Sequence, residues 1–186
     1  TMIPQEGGIQ AIKKLLEAFS IDQIEGVKKS IILALARFVM KNNYFCLGNR
    51  YYRQVKGGAM GSPLTLTIAN TYMFFTERPI ARWAKESNSL YYRYIDDLFI
   101  MTNTPEYELK ELIKLWGRLD ESIELTESIG KEAEYLDVKL VNQNGRLLTK
   151  VYHKPSHEPY FLPFKSMHAE HTKKNVPYGS LIRAIR

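Results

Sequence analysis

Tyr91-Tyr92-Arg93-Tyr94-Ile95-Asp96-Asp97-Leu98-Phe99-Ile100 is the stretch on which the reading of this chain turns. Aromatic and apolar residues lead up to two adjacent acids and resume directly after them. Two β-prone runs flanking Asp-Asp predict a β-hairpin with the acids at its tip. Adjacent carboxylates repel each other unless a cation neutralises them, and hard oxygen ligands suit Mg²⁺. A plain solvated turn accounts for the same residues, since Asp is common in turns. The rest of the chain has to separate these two readings.

The chain of 186 residues is long enough for one domain with a real core, or one domain and a small appendage. A net charge of +6 favours a polyanionic partner. Cys46 is the sole cysteine, which excludes an internal disulfide and a Cys-rich zinc site and points to reducing, nuclear or cytoplasmic surroundings. The longest apolar run, Ile31 to Met40, is short and broken by Arg37, so no membrane span is expected.

Working outward toward the N-terminus, Lys56-Gly57-Gly58-Ala59-Met60-Gly61-Ser62-Pro63 is a Gly-rich loop feeding a helix. Ser62 suits an N-cap and Pro63 the first helical position, and Leu64, Ile68, Tyr72 and Phe75 continue the helix toward Pro79. Backbone N–H groups at such a terminus can receive phosphate, although an ordinary flexible loop has the same composition. Tyr44 to Leu47 and Tyr51 to Val55 predict a hairpin turning at Gly48-Asn49. Before it, Ile9, Ile12, Leu15, Leu16 and Phe19 recur at helical spacing. Asp22 and Glu25 match a capping box for a second helix with Ile24, Val27, Ile31, Leu35 and Phe38 inward.

Beyond the acids, Thr104-Pro105 predicts the start of a helix that buries Leu109, Leu112, Ile113, Trp116 and Leu119. Ile123 to Leu125 reads as a short strand. Tyr135 to Val141 and Leu147 to Tyr152 read as a hairpin turning at 142–145. Hairpins imply antiparallel pairing, so the expected fold is α+β, with helices packed on one face of an antiparallel sheet. From Lys154 onward, prolines, lysines, histidines and aromatics interleave, which reads as an extended basic segment or the onset of a second subdomain suited to a nucleic-acid backbone. A solvated tail is the plainer reading. The four histidines lie in or beside this segment, without Cys partners to complete a zinc site.

A Gly-Ser-Pro loop opening a helix, followed by a Tyr-x-Asp-Asp hairpin, resembles the palm of a reverse transcriptase. Gln54, Gly57, Ala59, Met60, Gly61, Ser62 and Pro63 are similar to the nucleotide- and template-positioning motif, and Tyr94-Ile95-Asp96-Asp97 to the catalytic hairpin. Thr1-x-Ile3-Pro4, Tyr135-Leu136-Asp137-Val138, Tyr152-His153-Lys154-Pro155-Ser156 and Ser166-Met167-His168-Ala169-Glu170-His171 narrow the resemblance to Penelope-like retroelement reverse transcriptases, relatives of telomerase. Thr65-Leu66 and Ala169 depart from that family's usual Ser-Pro and Pro.

The resemblance implies an RRM-like polymerase palm over 1–153 and a primer-grip or thumb-onset segment over 154–186. It implies an RNA template, a DNA primer in an RNA–DNA duplex and deoxynucleotides as partners. Catalysis would use two Mg²⁺ ions roughly 3.5–4 Å apart, with Mn²⁺ as a substitute. Asp96 would be the stronger metal ligand, Asp97 the second, and Lys131 a proton donor to pyrophosphate. Tyr94, Lys150, Lys154, Lys165, Lys173 and Lys174 would contact the primer strand. The family's third carboxylate falls a few residues upstream of Thr1, so the chain reads as a piece lacking that acid and the fingers, unable to polymerise alone. Two further readings remain open: a retired nucleic-acid-binding scaffold, and an RNA-dependent RNA polymerase.

Overall fold

The computed structural model describes residues 3–154, 162–163 and 165–185. Thr1, Met2, the stretch 155–161, Phe164 and Arg186, on which parts of the front and C-terminal motif blocks fall, lie outside the described residues. The architecture is mixed α+β, with six helices and small antiparallel sheets among those residues.

The first core is helical. Helices α1 (Gln5–Ala18), α2 (Lys29–Lys41) and α3 (Pro63–Thr76) bury Ile9, Ile12, Leu16, Ala36, Met40 and Ile68 together. Ile9, Ile12 and Leu16 fall at helical spacing, so one stripe of α1 meets both partners. Gly8 sets how close α1 and α3 come. A Cβ there would lie 2.4 Å from Ile68 Cγ2, and Ile68 is fully buried and β-branched.

The second core joins helices to strands. Helices α4 (Arg78–Glu86) and α5 (Glu106–Trp116) bury Ile80, Leu109 and Trp116, with Tyr91 and Ile100 packed on from the β5–β6 hairpin. That hairpin comprises β5 (Leu90–Tyr94) and β6 (Asp97–Met101). Leu125 and Ile129 complete this core from an irregular stretch, so the strand expected at Ile123 to Leu125 does not form. Tyr72 on α3 donates a short hydrogen bond to Asp120, tying the first core to the chain that follows α5.

Other expectations are also corrected. Asp22 and Glu25 do not cap a helix. Gln23–Ile24 (β1) and Val27–Lys28 (β2) form a minimal hairpin around Glu25 and Gly26, with φ of 49° and 81°. The Gly favours that left-handed turn, as in primed hairpin turns. Asp22 pairs instead with Lys29 Nζ at 3.2 Å, and α2 begins at Lys29. The helix after Ser62 ends at Thr76. Pro79 lacks the N–H that a helix interior needs, yet it sits comfortably in the first turn of α4, with Glu77 between the two helices. The run Tyr135 to Val141 is two strands, β7 (Glu132–Tyr135) and β8 (Val138–Gln143), because Leu136 turns at φ 55°. Strand β9 (Arg146–Val151) completes a three-stranded sheet in the order β7-β8-β9. Residues Glu170–Ile185 form α6, so the C-terminal basic segment is in part helical rather than extended.

The expected single sheet is replaced by four separate ladders among the described residues: β1–β2, β3–β4, β5–β6 and β7–β8–β9, where β3 is Tyr44–Leu47 and β4 Arg50–Arg53. Hairpins pair locally, and a continuous sheet needs a strand bridging their outer edges.

Two outcomes test this packing. Gly8→Ala adds about 1–3 kcal/mol of overpacking against about 1 kcal/mol gained in helix propensity, so urea unfolding is expected at lower denaturant. Burial, reinforced by Asp120, raises the Tyr72 phenol to about 12. A raised folded value means stability is intact below the ordinary phenol range near 10 and falls as pH rises from there toward about 12. Urea midpoints across that window are expected to fall less steeply for Tyr72→Phe.

Candidate active site

The β5–β6 hairpin pairs Tyr94 with Asp97 across a two-residue turn, Ile95-Asp96. Side chains alternate along each strand, so the hairpin has two unlike faces. Tyr91, Arg93, Leu98 and Ile100 share the face that meets the helices. Tyr92, Tyr94, Asp97 and Phe99 share the other, where Tyr92 and Tyr94 remain more than half exposed. Asp97 therefore stands on the face turned away from α4 and α5. Asp96 is exposed in the turn itself.

Ile95 has φ 55°, inside the left-handed region. A β-branched residue there is a genuine outlier, with a cost of about 1–3 kcal/mol. The surroundings hold it in place. Arg93 Nη1 donates to the Ile95 carbonyl at 3.0 Å and to Asn70 Oδ1 of α3 at 2.8 Å. The same guanidinium forms a two-pronged pair with the Glu77 carboxylate, through Nε to Oε2 and through Nη2 to Oε1 at 3.3 Å. Tyr91 Oη donates to Glu77 Oε2 at 2.7 Å. Burial, with the Glu77 hydrogen bond second, pushes the Tyr91 phenol far above its ordinary value. Arg93 and Glu77 side chains are 13% and 12% exposed, so the pair is largely screened from water.

A groove of about 330 Å³ opens beside Asp97, lined by Leu98, Glu134, Tyr135, Leu136, Tyr152 and Lys154. Tyr135 meets Phe99 with ring centroids 5.3 Å apart, which seats the β7–β9 sheet against the hairpin. Desolvation, then the nearby Asp97 charge, raises the Tyr135 phenol. Tyr152 is raised chiefly by its hydrogen bond to Glu134.

The other expected site residues are spread over several elements. Lys154 shares the Asp97 groove, and Tyr94 is the cross-strand partner of Asp97. Lys131 precedes β7, at the strand end opposite Tyr135, about 13 Å away along the strand. Lys150 pairs across strands with Lys139, on the sheet face opposite Tyr135. Lys165 is exposed, Lys173 donates to the Ser166 carbonyl at 3.3 Å, and Lys174 pairs with Glu170 at 3.2 Å.

None of Gln54, Gly57, Gly61, Ser62 and Pro63 lines the Asp97 groove. Ser62 caps α3 by accepting from Thr65 N at 3.4 Å, and Pro63 opens the helix as expected. That terminus lies about 12 Å along the helix from Asn70, where α3 reaches the Arg93 network. Gly57 and Gly61 turn with φ of 69° and 79°. The Gln54 amide donates to the Lys56 carbonyl at 3.0 Å. Gln5 Nε2, which the sequence did not single out, reaches the carbonyls of Met40 at 2.9 Å and Gly57 at 3.1 Å, pinning the loop to α1 and α2.

Among the described residues no group of three or more His, Cys, Asp or Glu is placed to hold a metal ion. Mg²⁺ commonly takes one or two carboxylates and fills its octahedron with water and substrate phosphate. Asp96 and Asp97 are both exposed and offer two hard carboxylate donors in adjacent positions, the number such an ion takes from protein. A second ion needs a further acid. No family model, no curated protein and no solved structure matches this chain. Among the described residues no helix is long and apolar enough to cross a membrane.

The sequence signal that could have revealed the Arg93 network was the position of Arg93, two residues before Ile95 on the strand's inward face. Its partner Glu77 is the first acid after Glu25, a span of sequence with no other carboxylate side chain. Removing one member of a buried pair strands the other, at about 3–5 kcal/mol. Arg93→Ala is expected to lose stability on that scale in urea titrations. Replacing both partners at once, Glu77→Leu with Arg93→Met, is expected to recover only the part due to the stranded Glu77 charge, since Asn70, the Ile95 carbonyl and the Tyr91 hydroxyl still lose their partners.

Proposed function

We propose that the chain carries part of the palm of an RNA-directed DNA polymerase of the Penelope-like type, adding deoxynucleotides to a primer 3′-hydroxyl. The observation that supports this most is the hairpin tip: one exposed carboxylate in the turn, Asp96, and a second at the first position of β6, Asp97, with the Ile95 carbonyl between the strands anchored by Arg93. Positive φ at the first turn residue is common to the two-residue hairpins of this chain, as at Glu25 and Leu136, so it is the side-chain anchor from Arg93 that sets this turn apart. On this reading Asp96 and Asp97 bind Mg²⁺ through their oxygens. The ion would lower the pKa of the primer hydroxyl and neutralise charge on the phosphates. Tyr94, beside Asp97, would pack against the primer end, and Lys154 in the same groove would offset phosphate charge. The turn formed by Gly61, with Ser62 and Pro63 opening α3, would let template and nucleotide approach the backbone. The family resemblance supplies the RNA template, the palm topology and a third carboxylate, which such enzymes carry on a strand just ahead of their Thr-x-Ile-Pro block.

A second reading, a scaffold that binds nucleic acid without catalysis, is favoured by the incomplete donor set. Primer extension separates the two. The 186-residue chain alone is expected to give no extension on an RNA template with dNTPs and Mg²⁺. The same chain joined to an acid-bearing upstream strand is expected to extend the primer. Asp96→Asn should then reduce extension by about 10³-fold, the scale of several kcal/mol of charge stabilisation. Extension unchanged by Asp96→Asn, or absent in every form, sinks the polymerase reading. Preference for NTPs over dNTPs would point to an RNA polymerase.

A further inference from the structure

The β3–β4 hairpin stands out from the helices, with all eight of its strand residues exposed. Tyr44 pairs with Arg53 and Cys46 with Tyr51, so these four share one face; Phe45, Leu47, Arg50 and Tyr52 share the other. Each face thus presents aromatic rings beside an arginine. Tyr51 is 83% exposed, and Phe45 stacks on Tyr52 with centroids 5.5 Å apart. Burying none of these rings in the core wastes apolar area that folding could use.

Charge indicates what covers them. No Asp or Glu occurs between Glu25 and Glu77. The cations of α2 find acids elsewhere, Arg37 and Lys41 both on Glu6. Arg50, Arg53 and Lys56 form no ion pair among the described residues. An apolar protein partner would not call for three unneutralised cations, whereas a polyanion with stackable bases would. Tyr44 and Tyr51 are diagonal neighbours on one face, about 7–8 Å apart at Cα, so that face presents two rings to the same side. A duplex keeps its bases stacked inward and cannot use these rings. The tyrosine hydroxyls add donors and acceptors for a ribose 2′-hydroxyl.

We infer that the β3–β4 hairpin is a docking platform for single-stranded RNA, with Tyr44, Tyr51, Phe45 and Tyr52 stacking bases and Arg50 and Arg53 holding the backbone. It lies on a different ladder from the one that carries Asp96 and Asp97, and the binding needs no metal ion. Fluorescence anisotropy with a labelled mixed-sequence RNA of about 12 nucleotides, in EDTA, tests it. Tyr51→Ala is expected to weaken binding about tenfold, and Tyr51→Phe much less. Arg50→Glu with Arg53→Glu should weaken it further and flatten its dependence on salt. Thermal melts of these variants should match the parent, since the positions pack on nothing in the core. Asp96→Asn should bind RNA normally, so a failed extension assay and a failed docking assay are told apart. Unchanged binding by the hairpin variants overturns the inference. So does equal or tighter binding of duplex RNA or of single-stranded DNA, or variants whose only effect is on self-association.

Discussion

The contact on which the candidate site depends is the buried guanidinium–carboxylate pair of Arg93 and Glu77. Glu77 sits where α3 ends and α4 begins, so its position is fixed by two helices. Arg93 sits on β5, one step from the turn. Its fork satisfies Glu77, Asn70 and the Ile95 carbonyl together, joining α3, the helix junction and the hairpin tip. A lysine would supply charge without that geometry, because only the planar fork reaches three acceptors in fixed directions. The left-handed Ile95 is tolerable because the tip is determined from outside its own dihedral preferences.

The network needs a stable platform, and the three-helix core supplies it. Gly8 allows α1 to lie close to α3, which sets the direction in which α3 carries Asn70 toward Arg93. Gln5 draws the Gly-rich loop onto the same platform through backbone carbonyls. The cap of α3 and the anchor of the acid hairpin thus share one helix, with the Gly-Ser-Pro turn at its start and the Arg93 contact further along it. Helix rise alone fixes their separation.

Beyond that platform the fold leaves much apolar surface in water. The outward face of β5–β6 carries Tyr92, Tyr94 and Asp97, and the whole β3–β4 hairpin is exposed. Both ladders keep outer edges without strand partners among the described residues. Open edges and bare aromatics are unfavourable in isolation, and they coincide with the surfaces proposed to bind metal and RNA.

Local chemistry was legible in the sequence. Ser62-Pro63 marked the start of α3, the runs flanking Asp96-Asp97 marked a hairpin whose turn falls one residue earlier, at Ile95-Asp96, Gly48-Asn49 marked another, and helical spacing marked α1 and α5, because each depends on neighbours within a few residues. The local signals failed where two of them competed. Asp22 and Glu25 matched a cap, but Gly26 favoured a turn; Tyr135 to Val141 looked continuous, but Leu136 bends. What no window of sequence could give were contacts between distant residues: Glu77 with Arg93, Gln5 with Gly57, and Asp97 sharing a groove with Lys154. Those contacts exist only once α3 has packed on α1 and the β7–β9 sheet has met Phe99, since burial and approach, rather than residue type, give them their strength.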